Sequence, residues 1–371
     1  MVVHPPPFKR IVLTVHMLEY KNIVEKWKRG STMNFKKQLI VFMAFLCLYG
    51  CNENITKPEP EPGRRNYVWS VDTVYSVNPI YRIWGSSSTD IWATTIGNLN
   101  KSIYHYDGAS WSTDGVFRLL SPHSIWGFSS SNVYIGGSGG IIWHYNGTLW
   151  QEMATLTKNG YSNIIFDNMW GSSPLDFYAF GASPDSLGLA NNSVIAHYNG
   201  SWVILDTDCL TGIVERLYRN NADQLIYLQV VKFSNTYDST FIYSYKQDQY
   251  NKIYSTVWSG TWADISLIQD EVYFILKKEV AQRTNNQFQP YLNLENTKFY
   301  QRIWGRTSMD IFILMTDGLA HYNGNDIEYL YYFDKPNTQI FEAMLFDKEV
   351  FFVQYEYTTN LSLIVHGKLI E

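Results

Sequence analysis

Four histidines recur in one sequence context: His105, His144, His197 and His321 each precede Tyr and an Asp-Gly or Asn-Gly pair, and each follows Asp90, Asn132, Asp176 or Asp310 by 11 to 21 residues. Imidazole is the commonest transition-metal ligand, and beside a carboxylate it makes an acid–base pair. Each of these histidines, however, stands before a hairpin turn in a different repeat, which spreads them around a periphery. The expectation is structural hydrogen bonding and no metal. The short acids and amides sit where they would cap the amides of a tight turn. Cys209 has no adjacent base and reads as a buried thiol. There is no phosphate-cradling glycine loop, no Gly-x-Ser-x-Gly elbow and no His-Glu-x-x-His, so no cofactor is expected. Catalytic carboxylates gathered from separate repeats at a central channel remain the enzymatic alternative.

These residues are positioned by repeats. Ile83-Trp84-Gly85 returns as Ile125-Trp126-Gly127, Met169-Trp170-Gly171 and Ile303-Trp304-Gly305, and the first three tryptophans are 42 and 44 residues apart. That period belongs to four-stranded propeller blades. Trp-Gly reads as the innermost strand, Ile91-Trp92 and its equivalents as the second, the His-Tyr segment as the third, and Trp111, Trp150 or Trp202 as the start of the fourth. The Asn-Gly and Asp-Gly pairs predict two-residue type I′ hairpins. Anchoring on the residue before the second strand adds Gln224, Glu271 and Glu349, with spacings of 42, 44, 48, 47, 39 and 39. Seven blades result. The seventh lacks a fourth strand, and residues 67–71 have the pattern to supply it, closing the ring and removing its open edges. The expected fold is all-β, a seven-bladed β-propeller of four-stranded antiparallel blades over residues 66–371. The recurring tryptophans are expected to pack between neighbouring blades.

The chain before the repeats is different. Met33-Asn34-Phe35-Lys36-Lys37 leads into an apolar run from Leu39 to Tyr49, too short to span a bilayer and the size of a signal-peptide core. It ends Leu48-Tyr49-Gly50-Cys51, which resembles a bacterial lipobox. Residues 1–32 then read as an over-extended start, 33–50 as a lipoprotein signal peptide, and Cys51 as the lipidation site. Residues 51–65, with Pro58-Glu59-Pro60-Glu61-Pro62, read as an extended tether. Eight Lys/Arg against two Asp/Glu lie in the first 51 residues, which leaves 21 against 32, a net charge of −11, for the rest. Such a balance argues against a nucleic-acid partner.

In this register the long loops between second and third strands and the blade-to-blade connections share one face. Loops on a rigid scaffold carry binding residues, so Arg118, Tyr161, Asp185 and Tyr237 on that face, around blades one to four, are the candidate ligand-binding residues.

The Trp-Gly, Asp-x-Tyr/Trp and His-Tyr-Asn-Gly repeats resemble those of β-propeller lipoproteins from Bacteroidota and related Gram-negative bacteria. The resemblance covers residues 67–371 and is strongest in blades one, two, three and six. It implies an outer-membrane or cell-surface location and no established activity. The expected function is a monomeric, lipid-anchored binding or scaffolding domain for a protein or glycan partner. The alternative is a carbohydrate-active enzyme, a glycoside hydrolase, lyase or transferase, with its site at the central channel.

Overall fold

The computed structural model describes residues 61–97 and 100–370. The expected start segment, signal peptide and Cys51 lie outside the described residues. The strands form seven four-stranded antiparallel sheets, and each consecutive pair of sheets packs face to face. Blades one to six span residues 80–112, 122–155, 165–204, 213–257, 263–293 and 299–332. Blade seven takes its inner three strands from residues 338–369 and its outermost from Tyr67–Val74, which pairs with Leu361–Leu369 over its whole length. The ring is thus closed by joining its two chain ends within one sheet, as the pattern predicts.

The Trp-Gly repeat has a steric reason. Trp84 is buried and lies over Gly127 of the next blade, where an added Cβ would come within 2.6 Å of its ring. Gly305 receives Ile268 of blade five, and Gly85 receives Phe346 of blade seven, in the same way. The glycine is therefore the socket for its neighbour's large side chain, and the interlock holds the angle between blades.

Three local expectations need correction. The Asn-Gly turns are not type I′: only glycine takes positive φ, at Gly108, Gly147, Gly200 and Gly324. In blades one, two and six four-residue loops close instead around the Asx side chain, as where Asp107 Oδ1 accepts from the amides of Ala109 and Ser110, both at 2.9 Å. A carboxylate or amide oxygen that satisfies two amides at once makes left-handed Asx unnecessary. Second, the blade-four anchor is displaced by one residue. Tyr227 pairs with Tyr218 as Trp92 pairs with Trp84, which places Leu225, not Gln224, at the anchor position. Third, Cys209 is exposed.

Candidate functional site

Each of the four histidines is paired within its own blade. His105 Nε2 lies 2.7 Å from Asp90, His144 2.8 Å from Asn132, His197 2.9 Å from Asp176 and His321 2.7 Å from Asp310. Blade seven has the same pair in His366 and Glu349, at 2.7 Å, and blade five substitutes Gln282 and Glu271. Each acid or amide is turned to the third strand rather than to the turn amides. The imidazoles also meet second-strand rings, from Phe351 on His366 at 4.0 Å to Phe312 on His321 at 4.7 Å between centroids. The pairs tie second strand to third. Among the described residues no three His, Cys, Asp or Glu gather so as to hold a metal ion.

The four loop-face candidates divide into two kinds. The Arg118 side chain is only 9 % exposed, makes a double ion pair with Asp114 and lies over Trp143. It fastens the connection between blades one and two. Asp185 accepts from the amides of Leu187 and Leu189 and from the Asn191 side chain, and these donors hold its carboxyl below the usual range. It organises its own loop. Tyr161 and Tyr237 project, 73 % and 64 % exposed. Tyr161 follows the Asn159-Gly160 pair, which has positive φ at both residues and mutual hydrogen bonds between Lys158 and Tyr161, so this Asn-Gly pair forms its type I′ turn between blades, while within blades four and five the double positive φ falls at Gln247-Asp248, Gln269-Asp270 and Asn285-Asn286.

The surroundings of those tyrosines are apolar. Phe117 and Leu119 before blade two, Leu187 in blade three, Tyr75 and Val77 before blade one, and Trp258 before blade five are all exposed on the loop face. Among the described residues the opposite, tight-turn end exposes Leu149, Leu175, Ile327 and Ile370, while the exposed aromatic rings lie at the loop end.

That opposite face receives the incoming chain. Gly63 N donates to Met309 O at 2.8 Å, and its Cα sits so close to His321 that a Cβ would meet the ring at 2.6 Å. Arg65 bonds the carboxylate and carbonyl of Asp326, both at 2.6 Å, and the carbonyl of His321 at 2.9 Å. The last residues of the expected tether are thus docked on blade six at the tight-turn end.

The channel holds what the sequence reading did not name. Two residues before each blade's tryptophan position stand Arg82, Ser124, Asn168, Arg216, Asp264, Arg302 and Glu342, polar in every blade. The innermost strand carries a register shift just at or before this position in all but blade five. Bulges re-aim side chains, and here they free carbonyls that the arginines take up. Arg82 donates to Asp167 O at 3.0 and 3.2 Å, Arg216 to Glu215 O at 2.9 Å, and Arg302 to Phe341 O. Asp264 is held by Ile265 N at 2.8 Å and Arg302 at 3.4 Å, and Glu342 accepts from the Trp304 indole at 3.1 Å. Burial pushes the Asp264 carboxyl up to about 7 against the pull of Arg216. The Glu215 carboxyl is raised too, by burial and then by Asp167. The signal was present as a polar residue at a fixed offset from each Trp, but it carries no motif.

No protein-family model and no curated protein matches the sequence. Solved structures do. The chain is similar to a structure described as YCF48 bound to D1 peptide, at 12% identity and a TM-score of 0.56, over 84% of this chain and 100% of that one. It is similar to YCF48 from Cyanidioschyzon merolae, at 10% identity and 0.54, over 81% and 98%. It also matches the extracellular domain of the putative one component system BT4673 from B. thetaiotaomicron, at 13% identity and 0.53, over 81% of this chain and 40% of that one. What these likenesses and the sheet order together show is the fold, a seven-bladed β-propeller.

Proposed function

We propose that this chain is a lipid-anchored binding propeller of the outer membrane or cell surface of a Gram-negative bacterium, docking a protein partner on its loop face. The observation that carries the reading is the one-sided distribution of exposed aromatic side chains, with leucines among them. Patches of this kind, on loops held by a rigid scaffold, mark interaction sites. Aliphatic residues such as Leu119 and Leu187 among the aromatics favour a protein over a glycan, because sugars stack on rings and gain little from isolated leucines. Support for the anchoring side comes from the docking of Gly63 and Arg65 on the tight-turn face. With lipid on Cys51, a tether of about 12 residues reaches at most about 40 Å, and the loop face points away from the membrane. One similar propeller is described with a bound peptide, a precedent for the fold only.

The test is recovery of partners from solubilised envelopes by the full chain and by a variant carrying Phe117→Asp, Leu187→Asp and Tyr237→Asp. The reading expects a discrete protein recovered by the first and lost from the second. No protein recovered, or the same set from both, contradicts it.

The enzymatic alternative keeps one observation in its favour: Asp264 and Glu342, from two blades, line a single channel cavity. Both carboxylates are already engaged, by Arg302 and Ile265 N and by Trp304, which argues against a free acid–base pair. Turnover of aryl glycosides lost on Glu342→Gln would establish it.

A further inference from the structure

The position of the blade tryptophan is filled in turn by Trp84, Trp126, Trp170, Tyr218, Ser266, Trp304 and Met344, as the pairing with each second strand fixes. Blades five and seven break the rule, with a hydroxymethyl and a thioether where the others have a ring. Both exceptions line one cavity of about 420 Å³ in the channel, running from the charged ring toward the tight-turn end. Ser266 puts a hydroxyl in the cavity wall where four other blades carry an indole. Gly305 is in the wall too, its own socket being filled by Ile268 of blade five.

The walls define what would fit. Arg216, Arg302 and Arg306 line the cavity with Asp264 and Glu342, so an ion of either sign meets a like charge. The Arg216 side chain is 4 % exposed, and its Nη2 has no hydrogen-bond partner. It lies 3.9 Å from Glu342 Oε2, too far for a direct hydrogen bond. That nitrogen is closed off by its neighbours, and the polar side chains that open on the cavity are Arg302 and Glu342, 23 % and 19 % exposed. Between a nitrogen that only donates and a carboxylate that only accepts, the group that serves both is a hydroxyl. Trp304, Tyr218 and Met344 supply an apolar wall beside these polar groups.

We infer that the channel cavity is a binding site for a neutral saccharide of one or two rings, its hydroxyls bridging Arg302 and Glu342 and its C–H face lying against Trp304 and Tyr218. This is independent of the loop-face reading, since the two sites lie toward opposite ends of the propeller. The chemistry is binding alone; no bond is broken.

The test is saturation-transfer NMR and calorimetry with the full chain and a panel of glucose, galactose, mannose, N-acetylglucosamine, lactose and cellobiose, with glucuronate and glucosamine as charged controls. The inference expects at least one neutral sugar to bind and both charged controls to bind at least tenfold more weakly. Ser266→Trp, which restores the residue of the other blades, should abolish binding while leaving the melting temperature at or above that of the wild type. Glu342→Gln should weaken binding at least tenfold, and it serves alone if Ser266→Trp fails to fold. The inference is overturned if no neutral sugar binds, if a charged control binds best, or if both variants bind like the wild type.

Discussion

Gly127 shows how one residue fixes a blade. A methyl group there would overlap the Trp84 ring, whose nearest atoms would stand 2.6 to 2.8 Å away. Gly127→Ala should therefore destabilise by about 1–3 kcal/mol, as overpacking does. Denaturant unfolding checks this, and a loss below about 0.5 kcal/mol would mean the interlock yields freely. Asp264 gives a prediction with a pH sign. Its folded-state pKa, about 7, lies above that of an unfolded aspartate. A carboxyl raised on folding contributes stability that is lost as pH climbs from about 4 through about 7, because the unfolded chain releases the proton more readily. Wild type minus Asp264→Asn, measured by denaturant unfolding, should fall across that window by up to about 1.4 kcal/mol per pH unit. A flat difference would place Asp264 ionised in the folded state throughout. The Trp-Gly residues were legible because each repeats with an identical partner. Asp264 was not, because its role depends on which six residues face it across the channel, and one strand's sequence says nothing of that.

The outermost strand of blade seven tests the account at the level of an element. Trp69 in Tyr67–Val74 lies over Gly367, where a Cβ would come within 2.7 Å of its ring, and its ring is 5.4 Å from Tyr331 and 6.4 Å from Phe352. It thereby ties the N-terminal strand to blades six and seven. Trp69→Ala should cost about 2 kcal/mol or more, and deletion of residues 61–74 should expose the edge of Leu361–Leu369 and promote self-association. Light scattering and thermal melting follow both; a monomeric, unaltered deletion would show that closure is dispensable. The strand order was readable from hydrophobic alternation and the missing last strand. Turn chemistry was read less well. Asn-Gly favours type I′ only where nothing else satisfies the loop amides, and here Asp107, Asn146 and Asn323 side chains do so. The blade-four anchor slipped by one because Gln224, at φ 60°, sits in a turn that Asp223 stabilises through Leu225 N and Tyr227.

At the scale of the whole molecule the two ends of the propeller differ. One end carries exposed rings and leucines on long connections; the other carries tight turns, the histidine–acid pairs and the docked residues 63–65. Sequence spacing was enough to place the loops on a common face, since every blade shares one up-and-down order. It did not reveal that Arg118 and Asp185 are consumed in holding their own loops, because an ion pair four residues away and an Asx turn look the same in sequence as free polar groups. Docking of the tether was also hidden, being a contact between Gly63 and a blade about 250 residues later. A prediction follows: Gly63→Val should release the tether, read as faster proteolysis before Tyr67 with the propeller's melting temperature nearly unchanged.

On the proposed function, the loop face meets a partner while the opposite face turns to the membrane. Site-specific photo-crosslinking in intact cells tests it most directly, with benzoylphenylalanine placed in the full chain at Tyr161, Tyr237 or Leu187 and, for comparison, at Leu175. The account predicts one discrete protein adduct from each of the first three positions and none from Leu175. Adducts from Leu175 alone, or the same adducts from every position, would contradict it.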